Sequence, residues 1–288
     1  MLRRRSSMTL VSAGAALLAL AAAGCSSSSG GSGSAVTKPA TAAVKVPSGA
    51  LGQPGEIRFC SDISSPPLEF YSNGTTPTGS DIDLGNAIAA ELGVKPVWVN
   101  TAFAGIIPAL QAGHCDAIIS QLFNKPSRRL VVNFVNYMYS SEAVLVAHGN
   151  PHHVTGITDL CGLTVAAETG TTVTEYLAQQ SKACTKAGKQ PIKVQTFLRD
   201  SDALQQLALG HVQAYGTTVE TASYDMSKTP NTFQFAGQPF GQILTGIAVN
   251  KPNTALTHAI AQAFAILQKN GTYQKIMTKW GLRLDILK

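Results

Sequence analysis

Hydrophobic residues recur along the chain with two alternating periods, one typical of buried strands and the other typical of helices. The segment EIRFCS predicts a buried strand, and Leu84, Ile88 and Leu92 then recur at helical spacing. Similar strand and helix patterns alternate in two blocks, which are separated by the extended apolar segment SSEAVLVAHGN. Strands that alternate with crossover helices predict a parallel sheet with helices on both faces.

A second extended segment, GQILTGIAVN, follows the second block, and two amphipathic helices then close the chain. If the chain leaves the first block through one extended segment and returns through the other, the closing helices belong to the first block. This path predicts an α/β fold with parallel-rich sheets, in which a two-strand hinge joins two lobes. Lobe 1 would comprise residues 55–143 and 244–288, and lobe 2 would comprise residues 144–243.

The N-terminus has the pattern of an export signal. Three arginines precede an uncharged apolar stretch at residues 10–23, which has the length of a signal-peptide core and is short for a membrane span. The stretch ends in AAAGC, which resembles a bacterial lipobox, the motif whose cysteine is lipidated. Residues 1–24 are therefore predicted to be a lipoprotein signal peptide, and residues 25–54 a flexible Ser/Gly/Pro-rich tether.

These features predict an extracytoplasmic protein that is anchored to the outer face of the cell membrane through lipidated Cys25. The alternative is ordinary signal cleavage, in which Cys25 has no special role. Removal of residues 1–24 takes away three arginines and no acidic residue, which lowers the formal net charge from +6 to +3. No cluster of Lys and Arg interleaved with aromatic residues follows, so nucleic acid is excluded as a partner.

Four cysteines remain after the signal peptide, in an oxidising compartment. Cys161 precedes a predicted strand and Cys184 follows the next predicted helix, so we expect them to meet at one end of a strand–helix unit and form a disulfide. Cys60 and Cys115 are predicted at opposite ends of neighbouring strands, and we expect them to be reduced and buried. The wide spacings and scattered histidines predict neither a metal site nor a cofactor.

Seven stretches occur in an order that resembles a known family. They are PPLEF, TGSDIDLGNAIAAELG, FAGIIPALQAGHCDAIIS, KPSRRLVVNF, VAAETGTT, LALGHVQA and GTYQKIMTKWG. The region from about 55 to 282 resembles the bacterial extracellular solute-binding proteins of family 3, the polar-amino-acid binders that feed ABC importers. The resemblance implies the type II periplasmic-binding-protein fold and a monomeric, non-enzymatic receptor. Such a receptor captures a polar amino acid or a related carboxylate-bearing solute and delivers it to the membrane permease.

The resemblance places four candidate ligand-binding residues on lobe 1. In the family, a Pro-x-Arg segment puts an arginine in the cleft to hold the ligand carboxylate, which here is Arg128, and a guanidinium has the planar geometry for that role. Asp62 would meet the ligand amine or side chain, with a helix or turn cap as the alternative. Phe103 would pack on the ligand, with a core position as the alternative. Ser120 would meet the ligand amine at the carboxyl end of a strand.

A Gly-Thr-Thr turn is predicted to complete the site from lobe 2. Gly170, Thr171 and Thr172 match a turn that opens a helix in the family, and its free backbone N–H groups suit a carboxylate. Two departures come from lobe 1, where Gln121 and Phe123 replace small polar residues of the family. Phe123 would either supply a ring to the ligand or pack under the Arg128 loop.

A third departure, at Thr218, leaves the identity of the ligand open. Family members that bind α-amino acids usually carry an aspartate there for the ammonium group, and a threonine cannot neutralise that charge. Recognition of an ammonium group would then come from Asp62, Glu220 or an aromatic box. Alternatively, the solute is an amine or quaternary amine without a free α-amino group.

A few enzymes share the fold, including cyclohexadienyl dehydratases. They need a general acid or base in the cleft. Asp62, Glu69 and Glu220 are candidates here, but no recognisable catalytic cluster joins them. We therefore predict a binding protein and not an enzyme.

Overall fold

The computed structural model describes residues 42–287, so the predicted signal peptide, Cys25 and the first part of the predicted tether lie outside the described residues. The strands are β1 Glu56–Ser61, β2 Phe70–Tyr71, β3 Pro77–Thr78, β4 Lys95–Asn100, β5 Ala117–Ile118, β6 Val132–Ala147, β7 Thr164–Glu168, β8 Lys193–Phe197, β9 Ala214–Thr218, β10 Phe233–Phe235 and β11 Phe240–Asn250. The helices are α1 Ser80–Glu91, α2 Ile106–Gln111, α3 Pro126–Arg129, α4 Thr172–Lys186, α5 Asp200–Ala208, α6 Val219–Lys228, α7 Thr254–Lys269 and α8 Thr272–Lys279. Within this part of the chain, no helix combines the length and hydrophobicity that a bilayer-spanning segment requires.

One sheet runs through the described residues in the order β4-β1-β5-β11-β6-β9-β7-β8, and β10 pairs with β6 beside this path. We call β4, β1 and β5 with α1, α2, α7 and α8 the first half, and β7, β8 and β9 with α4, α5 and α6 the second half. The strands within each half are parallel. Strands β6 and β11 run antiparallel to their neighbours in the centre, so the predicted parallel-rich α/β architecture is confirmed.

The two central strands connect the halves. Strand β11 pairs with β5, with Ala248 opposite Ile118, and β6 pairs with β9, with Glu142 opposite Thr218. The pairing of β6 with β11 also shifts register twice, between Phe240 and Ile243 and between Thr245 and Gly246. These are the two segments that the sequence predicts as a hinge. The predicted lobe limit after residue 143 falls just beyond the last β6 residue in this pairing, Glu142, whereas the limit after residue 243 falls within the pairing, and both remain predictions.

Separate groups of buried residues stabilise the two halves. In the first half, Ile57 and Leu84 share a cluster with Leu256, Tyr273 and Met277, so the closing helices pack where the sequence predicts. In the second half, successive residues of β7 point to opposite faces. Val165 and Ala167 pack with α4, and Ala166 packs with α5 and α6. This alternation is expected for a strand with helices on both faces.

The folded part begins upstream of residue 55. Val44 and Ala50 are buried in the first half. The Val44 N–H donates to the Glu91 carbonyl at the end of α1, and the Asn253 amide donates to the Ala50 carbonyl. Residues 42–54 are therefore part of the folded domain and not of the predicted flexible tether. The apolar residues within this Ser/Gly/Pro-rich tract pack on the hydrophobic core of the first half.

Both halves contain a disulfide. The Cys161–Cys184 bond is confirmed, with the two Cα atoms 5.6 Å apart. The prediction that Cys60 and Cys115 are reduced is wrong, because they form a second disulfide at the same Cα separation. Cys115 lies not in a strand but in the turn between α2 and β5, which brings it over the sheet face to which Cys60 points.

Candidate functional site

A cavity lies where strands of both halves end. The first half lines it with Ser65, Glu69, Phe103, Ser120, Gln121, Phe123 and Arg128, strand β6 contributes Glu142, and the second half contributes Glu168, Thr171, Thr172, Val173, Asp200, Gly216, Thr217, Thr218 and Thr221. Carboxyl ends of parallel strands are where open α/β sheets bind ligands. Of the ten predicted ligand-binding residues, eight line this cavity, and Asp62 and Gly170 do not.

Arg128 is held at the cavity by backbone and aromatic contacts. It lies in the short helix α3, and its guanidinium donates to the carbonyl oxygens of Phe123, at 3.2 Å, and Gly170, at 3.3 Å. Its guanidinium carbon is 5.4 Å from the ring centroid of Phe103. Burial lowers the pKa of Arg128 to about 10, which leaves it charged at neutral pH. It forms no ion pair with any carboxylate in residues 42–287, so its charge is available to an anionic ligand group.

Asp62 makes the contacts of a turn cap, the alternative that the sequence suggests for it, and its contact with a ligand remains a prediction. It is buried, and its Oδ2 atom accepts a hydrogen bond of 2.7 Å from the Phe103 N–H. Its Oδ1 atom accepts from Ser64, at 2.7 Å, and from Arg199, at 3.1 Å. Arg199 also donates to Asn100, at 2.8 Å. Asp62 therefore holds the two halves together through Arg199 and does not face the cavity.

The hydroxyl of Ser120 is already used by neighbouring protein groups. It accepts from the Asp62 N–H and donates to Oε1 of Glu69, both at 2.9 Å. Oε2 of Glu69 is buried and has no hydrogen-bond partner within residues 42–287. Burial, aided by the charge of Asp81, raises the pKa of Glu69 well above its ordinary value. Glu69 thus brings to the cavity a carboxyl group that lies between the hydroxyl of Ser120 and the carboxyl group of Asp81.

Gln121 bridges the halves at one side of the cavity. It has a positive φ of 41°, which is uncommon for a residue other than glycine. Its side-chain N–H groups donate to Glu220 and Ser140, at 2.9 and 3.0 Å. Its side-chain oxygen accepts from the Thr218 hydroxyl at 3.2 Å. The predicted departures at Gln121 and Thr218 are therefore in contact with each other, and Glu220 holds them in place without lining the cavity.

The Gly-Thr-Thr turn lies at the start of helix α4. Gly170 has φ of 85°, and a Cβ at this position would lie 3.0 Å from Cα of Ala104 in the first half. Thr171 is the N-cap residue, but its hydroxyl donates to the Glu168 carbonyl and does not cap the helix. Thr171 and Thr172 both line the cavity, so the N-terminal end of α4 faces it as the sequence predicts.

Two acidic residues of the second half line the cavity and were not predicted. Glu168 ends β7 and Asp200 begins α5, and both are buried. Tyr215 and Thr217 donate to Asp200, whereas Oε1 of Glu168 has no partner within the described residues. Burial raises the pKa of Asp200 to about 7, and burial together with the charge of Asp200 raises the pKa of Glu168 well above its ordinary value.

A further unpredicted acid, Glu142, lies on β6 directly opposite Thr218. Burial and the charge of Glu220 raise the pKa of Glu142, while the charges of Arg128 and Lys125 lower it. The cavity is thus lined by four carboxyl groups and one guanidinium. This arrangement can bind a small molecule that carries one carboxylate and additional positive charge.

A match to a protein family fits this geometry. The family model for bacterial extracellular solute-binding proteins, family 3, matches residues 57–283. The chain belongs to this family. Its relatives include the L-cystine-binding protein TcyJ of Escherichia coli strain K12, which is 28% identical over 216 residues that cover 75% of this chain and 78% of the relative. ABC transporter arginine-binding protein 1 of the same strain is 30% identical over 234 residues, which cover 78% of this chain and 90% of the relative.

Solved structures of family members share the fold. An ancestral arginine-binding protein bound to arginine superposes with a TM-score of 0.72 at 34% identity, covering 78% of this chain and 98% of that chain. An ancestral amino acid-binding protein described as a precursor of cyclohexadienyl dehydratase superposes with a TM-score of 0.71 at 30% identity, covering 78% and 95%. The chain therefore has the two-lobe fold of the periplasmic amino-acid-binding proteins. Strands β6 and β11 form its two-strand hinge.

Proposed function

We propose that this protein is the extracytoplasmic substrate-binding component of an ABC importer and that its ligand is an amino acid with a positively charged side chain. The observation that carries the proposal is the charge balance of the cavity. Arg128 offers one positive charge, and Glu69, Glu142, Glu168 and Asp200 offer four acidic groups. Buried carboxylates are costly unless they are paired, so a cationic ligand would relieve this excess. Relatives that bind arginine support the same ligand class.

The geometry suggests how such a ligand would lie. Its α-carboxylate would accept hydrogen bonds from Arg128, which has no acidic partner of its own within residues 42–287. The hydrocarbon part of its side chain would pack against the ring of Phe103. The cationic end would reach Glu168 and Asp200 in the second half. One small molecule would then contact both halves.

Contacts to both halves provide the mechanism of capture. A solute that touches both sides stabilises the closed form over the open form by the difference in its contacts, which shifts the population about the hinge. The protein also makes its own contacts between the halves. The Lys125–Glu175 and Arg199–Asp62 ion pairs both join them. The permease of the importer would then recognise the closed form.

The localisation rests on the N-terminal pattern and on the family. We propose that Cys25 is lipidated and that residues 26–41 connect it to the folded part, which would act as a monomer at the outer face of the membrane. Metabolic labelling with a radioactive fatty acid tests this proposal. Incorporation in the wild type and its loss in Cys25→Ala are expected, and equal labelling of both would contradict it.

Thr218 favours a second ligand class, an amine without a free α-amino group. We propose no catalytic activity, since the family and the relatives above are solute-binding proteins. Of the three acids that the sequence suggests as catalytic, Glu69 lines the cavity and Asp62 and Glu220 do not. A relative described as a precursor of cyclohexadienyl dehydratase makes this worth a direct test. Incubation with candidate solutes, followed by mass spectrometry, should show unchanged solutes.

A ligand screen by thermal shift tests the proposed ligand class. The panel contains L-arginine, L-lysine, L-ornithine, L-glutamine, L-cystine, L-glutamate, glycine betaine and putrescine. A ligand that binds only the native state and is present at about a hundred times its Kd stabilises the fold by about 2.7 kcal/mol. We expect the three cationic amino acids to raise Tm most. A response confined to the neutral or acidic solutes would contradict the cationic class, and a response confined to betaine or putrescine would favour the second class.

A further inference from the structure

The four carboxyl groups of the cavity lie in different surroundings. Glu69 accepts a hydrogen bond from Ser120, and Asp200 accepts two. Within residues 42–287 no group donates a hydrogen bond to the carboxyl group of Glu142, although it is buried, whereas the carboxyl group of Glu168 lies against that of Asp62, which helps to raise the pKa of Glu168. The charge that acts favourably on Glu168 is that of Arg199, at the contact between the halves, whereas Glu142 is influenced by Arg128 and Lys125. Glu142 and Glu168 thus have different charged neighbours.

The position of Glu142 is set by the sheet. It lies on the central strand β6 directly opposite Thr218 on β9, and side chains in such cross-strand pairs are neighbours. The Thr218 hydroxyl is occupied, since it donates to Gln121 and accepts from the Thr221 N–H as the cap of α6. Thr218 therefore presents no charge to the cavity. Directly across from it, Glu142 has a carboxyl group that forms no hydrogen bond with any other described residue.

The chemistry of an α-amino acid restricts where its ammonium group can bind. The carboxylate and the ammonium are attached to the same carbon atom, so their two protein partners must lie close to each other. Arg128 is the basic group of the cavity, and Lys125, which is near it, is already paired with Glu175. The charges of Glu175 and Glu142 both act on Arg128, and of these two acids Glu142 lines the cavity. The proposed function assigns the acids of the second half, Glu168 and Asp200, to the ligand side chain.

We infer that Glu142 accepts the α-ammonium group of the bound amino acid and so supplies, from the hinge strand β6, the negative charge that Thr218 lacks. The inference rests on the proposed function, because it assumes an amino acid ligand. It does not depend on which side chain the amino acid carries. It also means that one of the ligand's charged contacts is made by the hinge itself.

The test compares ligands with and without the α-amino group. The probes are L-arginine and 5-guanidinopentanoate, which keeps the carboxylate and the guanidinium but lacks the amine. Glu142→Gln removes the charge with little change of shape. We expect it to weaken L-arginine binding in calorimetry about ten- to a hundredfold, the range of a charge-assisted hydrogen bond. Binding of 5-guanidinopentanoate should be unchanged. Equal losses for both probes, or no loss for L-arginine, would overturn the assignment.

Two further variants separate the role from a structural effect. Asp225→Asn neutralises another buried acid of the second half that does not line the cavity, and it should bind both probes as the wild type does. The double variant Glu142→Gln, Thr218→Asp returns a carboxylate from the opposite strand. It should recover most of the L-arginine affinity, and a failure to recover any would count against the assignment. The Tm of each ligand-free variant verifies that it is folded.

The outcomes also separate this inference from the proposed function. If the wild type prefers a neutral amino acid, the cationic class fails. The Glu142 comparison is then made with that amino acid and its desamino analogue. If the wild type binds an amino acid and Glu142→Gln does not discriminate between the paired ligands, only the Glu142 assignment fails. If the wild type binds no α-amino acid, both fail.

Discussion

In the first half of the sheet β1 runs between its parallel neighbours β4 and β5, and in the second half β7 lies in the same way between β8 and β9. Helices cover both faces of each half, and each half contains one disulfide. The scaffold is thus repeated. The walls that the two halves present to the cavity are not.

The first half provides the guanidinium of Arg128 and the aromatic rings, whereas the second half provides Glu168, Asp200 and a row of threonine hydroxyls. An amino acid has a negative end and, in the proposed class, a positive side chain. The first half contributes one basic and one acidic side chain, Arg128 and Glu69, whereas the charged side chains of the second half, Glu168 and Asp200, are both acidic. The comparison shows that the shared fold sets the position of the cavity, whereas a few side chains at the strand ends determine which solute can bind in it.

The largest expected effect concerns the scaffold. Loop-closure entropy predicts that loss of the Cys60–Cys115 disulfide, which spans 55 residues, lowers the free energy of unfolding by about 4 kcal/mol. Loss of the Cys161–Cys184 disulfide, which spans 23 residues, should lower it by about 3 kcal/mol. Urea denaturation of the two double-alanine variants measures both values. A larger loss in the second half would contradict this ranking.

The next effect concerns the basic wall. Arg128→Ala should weaken binding of the amino acid by about 3 kcal/mol, more than a hundredfold, because its carboxylate loses a charge-assisted partner. Arg129→Ala is the matched control, since Arg129 is exposed and its guanidinium contacts Asn124 outside the cavity. Calorimetric titration of both variants measures the difference. Wild-type affinity in Arg128→Ala would exclude the carboxylate role.

Smaller changes are expected on the acidic wall. Glu168→Gln and Asp200→Asn should each weaken L-arginine binding about tenfold and leave the binding of L-citrulline, its uncharged analogue, nearly unchanged. The arginine-to-citrulline ratio therefore falls. Asp202→Asn, an exposed acid on the same helix α5, serves as the control and should leave the ratio unchanged. A ratio that stays constant in all three variants would contradict a cation-binding second half.

The smallest effect is a dependence on pH. The pKa of Asp200 is raised from 3.8 to about 7, so this group loses its proton as the pH rises through about 7. Affinity for cationic amino acids should then increase severalfold between about pH 6 and pH 8, and Asp200→Asn should flatten this increase. The protonated carboxyl stabilises the ligand-free fold, so this contribution is complete below about pH 3.8 and is lost as the pH rises through about 7. Calorimetry and melting curves at several pH values measure both trends.

Much of the fold follows from the sequence because helices and strands of a buried sheet have distinct hydrophobic periods. The central strands β6 and β11 and the closing helices α7 and α8 are predicted in this way. The state of Cys115 is not, because it depends on how the turn after α2 crosses the sheet. That path is a tertiary feature with no periodic signal.

The site was predicted less completely than the fold. Eight of the ten positions that the resemblance to the family points to line the cavity, three of them departures from the family pattern, and their contact with a ligand remains a prediction. Glu142 lies in a strand that the pattern describes only as extended, and Asp200 has the position of an ordinary helix-starting acid. The resemblance assigns Asp62 to the ligand, and its partner Arg199, which is 137 residues away in the chain, gives no signal in the local sequence. Such long-range partners decide which acids remain free for a ligand.

Strand β6 has a consequence for any attempt to divide this protein. It pairs with β11 along one edge and with β9 along the other, so it is a structural part of both halves. A fragment that contains only residues 148–239 would leave the β9 edge unpaired. Unpaired edges recruit strands from other molecules. We therefore expect such a fragment to self-associate. Two coexpressed fragments, one of which contains β6, should instead pair through β6 and re-form the intact sheet.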